Sequence, residues 1–267
     1  MPARPAHPTP YADVNAVLHA LLAGARKILG DRFAGLYLYG SLASGDFDPE
    51  LSDIDFLVVT EGEMPDELLP ALEAMHAGLA SADRKWATKL EGSYVPRHAL
   101  RRYDAADPPC PQLNEGRFYV ARHCSDWIIQ RHVLREHGVA LSGPPPSTLI
   151  DPVSPDDLRE AVRGILREWW EPMLLDGAWL RRGDLYQAYA VLTMCRALYT
   201  LRHGRIASKP VSAAWAQDEL GARWATLIER ASAWRHDAPS GDLSGATDFV
   251  RFTLGRARSS ESSEATV

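Results

Sequence analysis

The stretch from Phe33 to Thr60 constrains the fold of this chain more than any other. It reads FAGLYLYGSLASGDFDPELSDIDFLVVT. The apolar segment FAGLYLYG predicts a strand that ends in glycine, and DIDFLVVT predicts a second strand. The run from Phe56 to Val59 lacks polar alternation, so both faces of the second strand are expected to be buried. The pattern therefore predicts a sheet within an α+β domain.

Helices and one more strand accompany this pair of strands. DVNAVLHALLAGARKILG predicts a helix that ends near Gly30, and PDELLPALEAMHAGLA predicts another. WATKLEGSYVP predicts a third strand, which Pro96 ends. From about Asn114 the pattern becomes helical, through FYVARHCSDWIIQRHVLREHG. We expect a small mixed sheet with flanking helices.

A proline-rich stretch, LSGPPPSTLIDPVSP, divides the chain. Only helical patterns follow it, and Ser154 is a candidate N-cap for the first of these helices. The predicted fold is thus α+β, with a sheet-containing domain over residues 1–151 and an all-α helical bundle over residues 152–258. The small polar residues 259–267 predict a disordered tail.

Composition excludes several classes of protein. The formal net charge of −6 argues against the broad basic surface of a duplex-DNA binder, so no nucleic-acid partner is expected. No segment approaches the roughly 18 apolar residues of a membrane span. The proline-rich N-terminus lacks the apolar core of a signal peptide. Three widely spaced cysteines favour a reducing compartment. We therefore expect a cytoplasmic monomer.

The polar residues around the first two strands suit a metal-bound nucleoside triphosphate. Asp53 and Asp55 are two apart on a strand and project to one side, where two carboxylates repel unless a cation lies between them. Mg²⁺ takes one or two carboxylates together with substrate phosphates. Gly40 allows a phosphate to approach the backbone, Ser41 opens a short helix with free N–H groups, and Ser52 adds a hydroxyl. Each feature alone is more often structural, but the combination is specific.

A third carboxylate is a candidate general base. Glu91 lies on the third predicted strand, which follows the Asp53–Asp55 strand after one helix. A neighbouring strand would bring Glu91 beside the two aspartates, where it can accept the proton of an attacking hydroxyl. From spacing alone, an exposed glutamate on an edge strand is an equally good interpretation.

Gly40-Ser41, a short intervening segment and Asp53-Ile54-Asp55 resemble the motif of the nucleotidyltransferase superfamily, which has the DNA polymerase β-like fold. The full chain resembles the aminoglycoside adenylyltransferases that modify streptomycin and spectinomycin. This second resemblance is carried by LEGSYV, REHGVALSGP, VLTMCRALYT and GRIASKPVSAAWA. It implies transfer of AMP from ATP to a hydroxyl of the antibiotic, with release of pyrophosphate and with two Mg²⁺ ions at the site.

The resemblance also implies residue roles. Glu91 would join Asp53 and Asp55 at the metal and act as base, while Arg196 and Lys209 would contact the nucleotide phosphates. The residue types agree with these roles, since Arg196 follows an apolar helical stretch where an unpaired charge is costly. The ordinary alternatives are a helix-surface arginine and a solvated loop lysine.

The acceptor side follows the family pattern less closely. Relatives that modify streptomycin use tryptophan and acidic residues of the helical domain. Here EWWEPMLLDGAWLRRGDLYQAY is longer than the corresponding stretch, and Tyr186 stands where an acidic residue is expected. Asp184 can substitute for it, and Trp169 can stack on a sugar, although tryptophans in bundles are more often part of the core.

These features together predict an adenylyltransferase whose partners are ATP and a cationic aminocyclitol acceptor, bound in a cleft between the two domains. One alternative keeps the chemistry and changes the acceptor to another small-molecule or protein hydroxyl. The other is a non-catalytic nucleotide-binding or antitoxin-like module. The intact set of Asp53, Asp55 and Glu91 argues against this second alternative, since binding alone does not need all three.

Overall fold

The computed structural model describes residues 8–82, 84–176, 183–235 and 244–264. The chain divides into two compact units, with the boundary between Pro152 and Val153. The strands of the first unit are β1 Phe33–Leu38, β2 Ile54–Thr60, β3 Leu90–Pro96, β4 Cys110–Asn114, β5 Arg117–Ala121 and β6 Val139–Ser142. Its helices are α1 Ala12–Leu29, α2 Gly40–Ser44, α3 Leu69–Ala82, α4 Arg84–Ala87, α5 Arg97–Leu100 and α6 Asp126–His137.

The six strands form one sheet in the order β5-β4-β3-β2-β1-β6. Only β2 and β3 run parallel to each other, and the other neighbouring strands are antiparallel. The connection between the parallel strands passes through α3 and α4, as a parallel pair requires a crossover. The predicted mixed sheet in an α+β protein is therefore confirmed.

The two faces of the sheet have different roles. One face, which includes Ile54, Phe56 and Val58 of β2, packs into a core with the apolar stripe of α1. The alternate residues Leu57 and Val59 point to the opposite face and are also 0% exposed. This arrangement confirms that both faces of β2 are buried. The second face is the one on which polar residues lie near the strand ends.

The helical pattern expected from about Asn114 was wrong for the residues before α6. Arg117–Ala121 is strand β5, which pairs with β4 as a hairpin. The turn of this hairpin holds Glu115 and Gly116 at φ 49° and 74°, the left-handed backbone that two-residue hairpin turns need. A glycine between two short β-type segments was the signal that could have predicted the hairpin.

A buried histidine makes the first unit sensitive to acid. His76 of α3 is 5% exposed, and its Nε2 lies 2.8 Å from the hydroxyl of Tyr94 on β3. Burial lowers the pKa of His76 to about 4, from the usual value of about 6.5. Its neutral form is therefore favoured in the folded protein.

We expect the stability of the protein to fall as the pH drops from about 6.5 to about 4, because the unfolded chain takes up a proton at His76 that the folded chain does not. The effect of one such group approaches 1.4 kcal/mol per pH unit, roughly. Urea denaturation of the wild type and of His76→Gln, across this pH range, measures it. A His76→Gln protein with an unchanged pH slope would contradict the assignment.

In the described part of the second unit, the regular elements are all helices. They are α7 Pro155–Ile165, α8 Glu171–Asp176, α9 Asp184–His203, α10 Lys209–Leu220, α11 Ala222–Ala233 and α12 Ala246–Glu264, with a π-helical turn at Leu166–Trp170. Ser154 caps α7, since its Oγ accepts a hydrogen bond from the backbone N–H of Asp157, as the sequence predicts. Helix α9 contacts α7, α10, α11 and α12 and is the centre of the bundle.

The tail predicted to be disordered is helical over most of its length. Helix α12 continues through Glu264, while residues 265–267 lie outside the described residues. Phe249 and Val250 anchor the start of the helix in the core, and Ser259 continues it by donating its hydroxyl to the carbonyl of Gly255. Polar composition does not end a helix whose first turns are anchored in this way.

Among the residues that the structure describes, no helix combines the length and the apolar character that crossing a membrane requires.

Candidate active site

Three polar side chains lie in one row across the sheet. Leu38 of β1 pairs with Phe56 of β2, so Tyr39 and Asp55 are the next pair, and the N–H of Tyr39 donates to the carbonyl of Asp55 at 3.2 Å. Asp55 is in turn the partner of Glu91 in the parallel pairing of β2 with β3. Partners in register point to the same face of a sheet. Tyr39, Asp55 and Glu91 are therefore neighbours, as the sequence predicts for the two carboxylates.

Gly40 leaves room for the Asp55 carboxylate. A Cβ atom at this position would lie 1.9 Å from Oδ2 and 2.6 Å from Cγ of Asp55. The backbone of Gly40 also has φ +65°, which side-chain-bearing residues rarely adopt. Only glycine meets both conditions, so the Gly-Ser turn and the aspartate strand pack directly against each other.

The residues predicted to hold the triphosphate lie around this turn. Gly40 and Ser41 begin helix α2, as the sequence predicts. Ser52 accepts a hydrogen bond on its Oγ from the N–H of Asp48 at 3.0 Å, and its carbonyl lies 3.4 Å from Nζ of Lys89. Ser52 thus stabilises the loop before β2, and its hydroxyl proton can still be donated.

Asp53 lies outside the strand ladder. The first paired residue of β2 is Ile54, whose N–H donates to the carbonyl of Lys89 at 2.7 Å, and Asp53 is exposed just before it. Within the described residues, no three His, Cys, Asp or Glu side chains are arranged to hold one metal ion. The register places Asp55 beside Glu91, and Asp53 lies two residues before Asp55, so the joint role of the three carboxylates at a metal ion stays a prediction. A pair of carboxylates that leaves sites for phosphate oxygens still fits Mg²⁺.

The carboxylates impose a strongly negative field on this face. Tyr39 is 6% exposed, and its pKa is raised well above the usual range by burial and then by Asp55, Glu91 and Asp126. Burial and then Glu91 also raise the pKa of Tyr119. Asp126, in the first turn of α6, is an acidic neighbour that the sequence reasoning missed. Its position depends on how α6 packs on the sheet, which no local pattern reveals.

Arg196 and Lys209 lie in the helical unit. Arg196 is half-buried on α9, and within the described residues it makes no hydrogen bond or ion pair. Lys209 is the first residue of α10, and its Nζ lies 5.7 Å from the centre of the Tyr189 ring. Within the described residues, Arg196 can therefore bind an anion without displacing a carboxylate partner.

The predicted acceptor residues occupy two neighbouring parts of the same unit. Trp169 lies in the π-helical turn and is 57% exposed, whereas Trp170 is 2% exposed and belongs to the core. Asp184 is the first residue of α9, and Tyr186 follows it on the same helix, both half-buried. Tyr189, which the sequence reasoning missed, is 45% exposed and stacks on Trp170 at 6.2 Å.

Two domain families match this chain in the order that the fold presents. The nucleotidyltransferase domain matches residues 22–104, and the C-terminal domain of aminoglycoside adenylyltransferase matches residues 148–256. The first match covers strands β1 to β3 with the carboxylate row, and the second covers most of the helical unit.

Individual proteins with the same arrangement match over most of the chain. Aminoglycoside (3'') (9) adenylyltransferase of Shigella flexneri is 28% identical over 257 residues, 91% of this chain and 95% of the relative. Spectinomycin 9-adenylyltransferase of Staphylococcus aureus (strain Mu50) is 25% identical over 216 residues, 76% of this chain and 78% of the relative.

A solved structure shares the fold. Spectinomycin adenyltransferase AAD(9) from Enterococcus faecialis, crystallised with ATP and spectinomycin, superposes with a TM-score of 0.70 at 17% identity, covering 91% of this chain and 98% of that one. The fold and the predicted enzyme class are thus confirmed. With both domain families matched in order and relatives along most of its length, the chain is similar to the aminoglycoside adenylyltransferases, which are nucleotidyltransferases.

Proposed function

We propose that the protein transfers AMP from ATP to a hydroxyl group of an aminocyclitol or aminoglycoside antibiotic, streptomycin or spectinomycin or both, and releases pyrophosphate. The observation that carries this proposal is the register of Asp55 with Glu91 against the glycine of the Gly-Ser turn. This arrangement places two carboxylates beside a stretch of backbone that a phosphate can approach closely.

Glu91 is the base in this reaction. Its carboxylate accepts the proton of the acceptor hydroxyl while the hydroxyl oxygen attacks the α-phosphorus of ATP. A new phosphorus–oxygen bond forms, and the bond from the α-phosphorus to the bridging oxygen of the β-phosphate breaks. Pyrophosphate leaves with that electron pair. The negative field of Asp55 and Asp126 favours transfer of a proton towards this face.

The remaining residues hold the nucleotide. Asp55, Glu91 and Asp53 would hold Mg²⁺, which neutralises phosphate charge when bound. The backbone of Gly40 and the hydroxyls of Ser41 and Ser52 donate to phosphate oxygens. In the helical unit, Arg196 and Lys209 supply the positive charge that the triphosphate needs. The unpaired state of the half-buried Arg196 supports its role.

The acceptor is a cation in this proposal. The chain carries a net charge of −6, and its site is acidic, which favours a polycationic antibiotic over an anionic substrate. We assign Trp169, Asp184 and Tyr186 to the acceptor, with exposed aromatic surface at Trp169 to stack on a sugar ring. The names of the relatives, aminoglycoside (3'') (9) adenylyltransferase and spectinomycin 9-adenylyltransferase, support the same substrate class.

Drug susceptibility of a bacterial host that expresses the protein tests the proposal. We expect resistance to streptomycin, spectinomycin or both, and its loss with Asp53→Asn at equal expression. Purified protein, radiolabelled ATP and the same antibiotics should give labelled AMP–antibiotic and pyrophosphate. ATP binding without pyrophosphate release, with any antibiotic or with a cell extract, would favour a non-catalytic nucleotide-binding module. Label transferred only to a component of the extract would show that another hydroxyl is the acceptor.

A further inference from the structure

A second cleft lies in the sheet-containing unit, away from the carboxylate row. It has a volume of about 530 Å³, and its lining includes Glu61, Arg97, Arg101 and Leu149. Glu61 and Arg97 directly follow the last paired residues of the parallel strands β2 and β3. Asp55 and Glu91 lie at the opposite ends of these strands, roughly 20 Å away along the strand direction. The cleft is thus at the carboxyl ends of a parallel pair, where α/β sheets commonly bind ligands.

Basic side chains from one short segment line this cleft. Arg97, His98 and Arg101 come from α5 and the residue after it. Their side chains are 44%, 62% and 60% exposed, so they are accessible to a ligand. Arginine side chains such as Arg97 and Arg101 can bind a phosphate with two parallel hydrogen bonds, while His98 contacts Glu63 at 3.1 Å.

The guanidinium groups keep donors for a ligand. Arg97 contacts Glu61 through Nη2 at 2.8 Å, and Arg101 contacts Asp151 through Nη1 at 2.8 Å. Arg102 contacts the same Asp151 carboxylate at 2.6 Å, so two guanidinium groups share one negative charge. A guanidinium has five N–H donors, and each of these pairs uses a small part of them.

The rest of the lining comes from Glu61 and from the segment that holds Pro144, Thr148 and Leu149. Leu149 is 7% exposed, and it follows a 3₁₀ turn at Pro146–Thr148. Arg135 of α6 donates to the carbonyl of Ser147 at 2.6 Å and also to that of Ile150, which ties this segment to the helix below it. A cleft that combines a few charged side chains with apolar ones on a fixed segment is typical of a small-molecule site.

We propose that this cleft binds a small phosphate-bearing anion, bridged by Arg97 and Arg101, at a site distinct from that of ATP. The guanidinium groups bind the phosphate oxygens, and the apolar side chain of Leu149 covers the rest of the ligand. The proposal needs no catalytic role for the cleft, and it stands whether or not the protein transfers AMP.

Calorimetric titration with inorganic pyrophosphate, in EDTA and at constant ionic strength, tests this site. We expect Arg97→Gln/Arg101→Gln to weaken one pyrophosphate-binding event at least about tenfold, since both bidentate donors are removed. Lys209→Ala should leave that event unchanged. Arg117→Gln is the matched control, because it removes an exposed arginine of β5 outside the cleft.

The variants separate this proposal from the proposed function. If the double variant binds pyrophosphate like the wild type, or if Lys209→Ala removes all binding, the cleft is not an anion site. The double variant loses only exposed ion pairs, so its thermal midpoint should stay close to that of the wild type. Loss of AMP transfer in Asp53→Asn with the cleft event retained would show that the two sites are independent.

Discussion

Replacing Gly40 by alanine is expected to lower AMP transfer by about a hundredfold or more, the loss that a misplacement of about 1 Å at a reacting centre can cause. The added Cβ would lie 1.9 Å from Oδ2 of Asp55, so the carboxylate has to move away from its place beside Glu91. The turn that approaches the phosphates has to move as well. Initial rates with radiolabelled ATP and a confirmed antibiotic acceptor measure the loss.

Gly45→Ala is the matched control for this prediction. Gly45 ends α2 with φ +85°, so alanine there meets a similar backbone penalty, but no atom lies within 4 Å of its Cβ position. We expect a small loss of stability, on the order of 1 kcal/mol, and near-normal transfer. Equal loss of activity in both variants would show that backbone strain, and not the contact with Asp55, is responsible.

The carboxylate row shows what the sequence can predict about such a site. Asp53-Ile54-Asp55 precedes an uninterrupted apolar run, and Glu91 precedes SYVP in the next predicted strand, so both polar positions fall at strand starts. If two strands connected by one helix pair in parallel, their starts lie at the same edge. Predicting that the two strands start at the same edge needs only local sequence patterns. The exact pairing of Asp55 with Glu91, and the exclusion of Asp53 from the ladder, depend on a register that the sequence leaves open.

Residues that reach the site from other elements could not be predicted in this way. Asp126 raises the pKa of Tyr39 because α6 packs beside α2, and Glu91 raises the pKa of Tyr119 because β5 belongs to the same sheet as β3. Strand β5 itself was taken for part of a helix, since Phe118, Tyr119 and Val120 form a short apolar run without clear periodicity. Short apolar runs of this kind fit a helix or a strand until their partner is known.

The helical unit illustrates the same limit for the acceptor. Arg196 and Lys209 were identified from sequence motifs, and their role in phosphate binding stays a prediction. Tyr189 was missed because an aromatic residue at helical spacing is usually interpreted as core. Its 45% exposure and its contact with Lys209 become visible only when α9 and α10 are placed side by side.

Glu91→Gln is expected to lower AMP transfer by about a hundredfold to ten-thousandfold, the range typical of a lost general base. Glutamine has nearly the same shape as glutamate, so β3 should keep its pairing with β2 and the protein should stay folded. It cannot accept the proton of the acceptor hydroxyl. Initial rates with saturating ATP and antibiotic measure this step, and calorimetric titration with ATP and Mg²⁺ measures binding separately.

Glu73→Gln supplies the control, because Glu73 is an exposed glutamate of α3 outside the carboxylate row. We expect it to retain the wild-type rate. The base assignment requires that Glu91→Gln lose turnover while its ATP affinity changes by less than about tenfold, since Asp55 and the phosphate-binding residues remain. A variant that loses ATP affinity in proportion to rate would assign Glu91 to metal binding alone. A variant with an unchanged rate would exclude Glu91 from both roles.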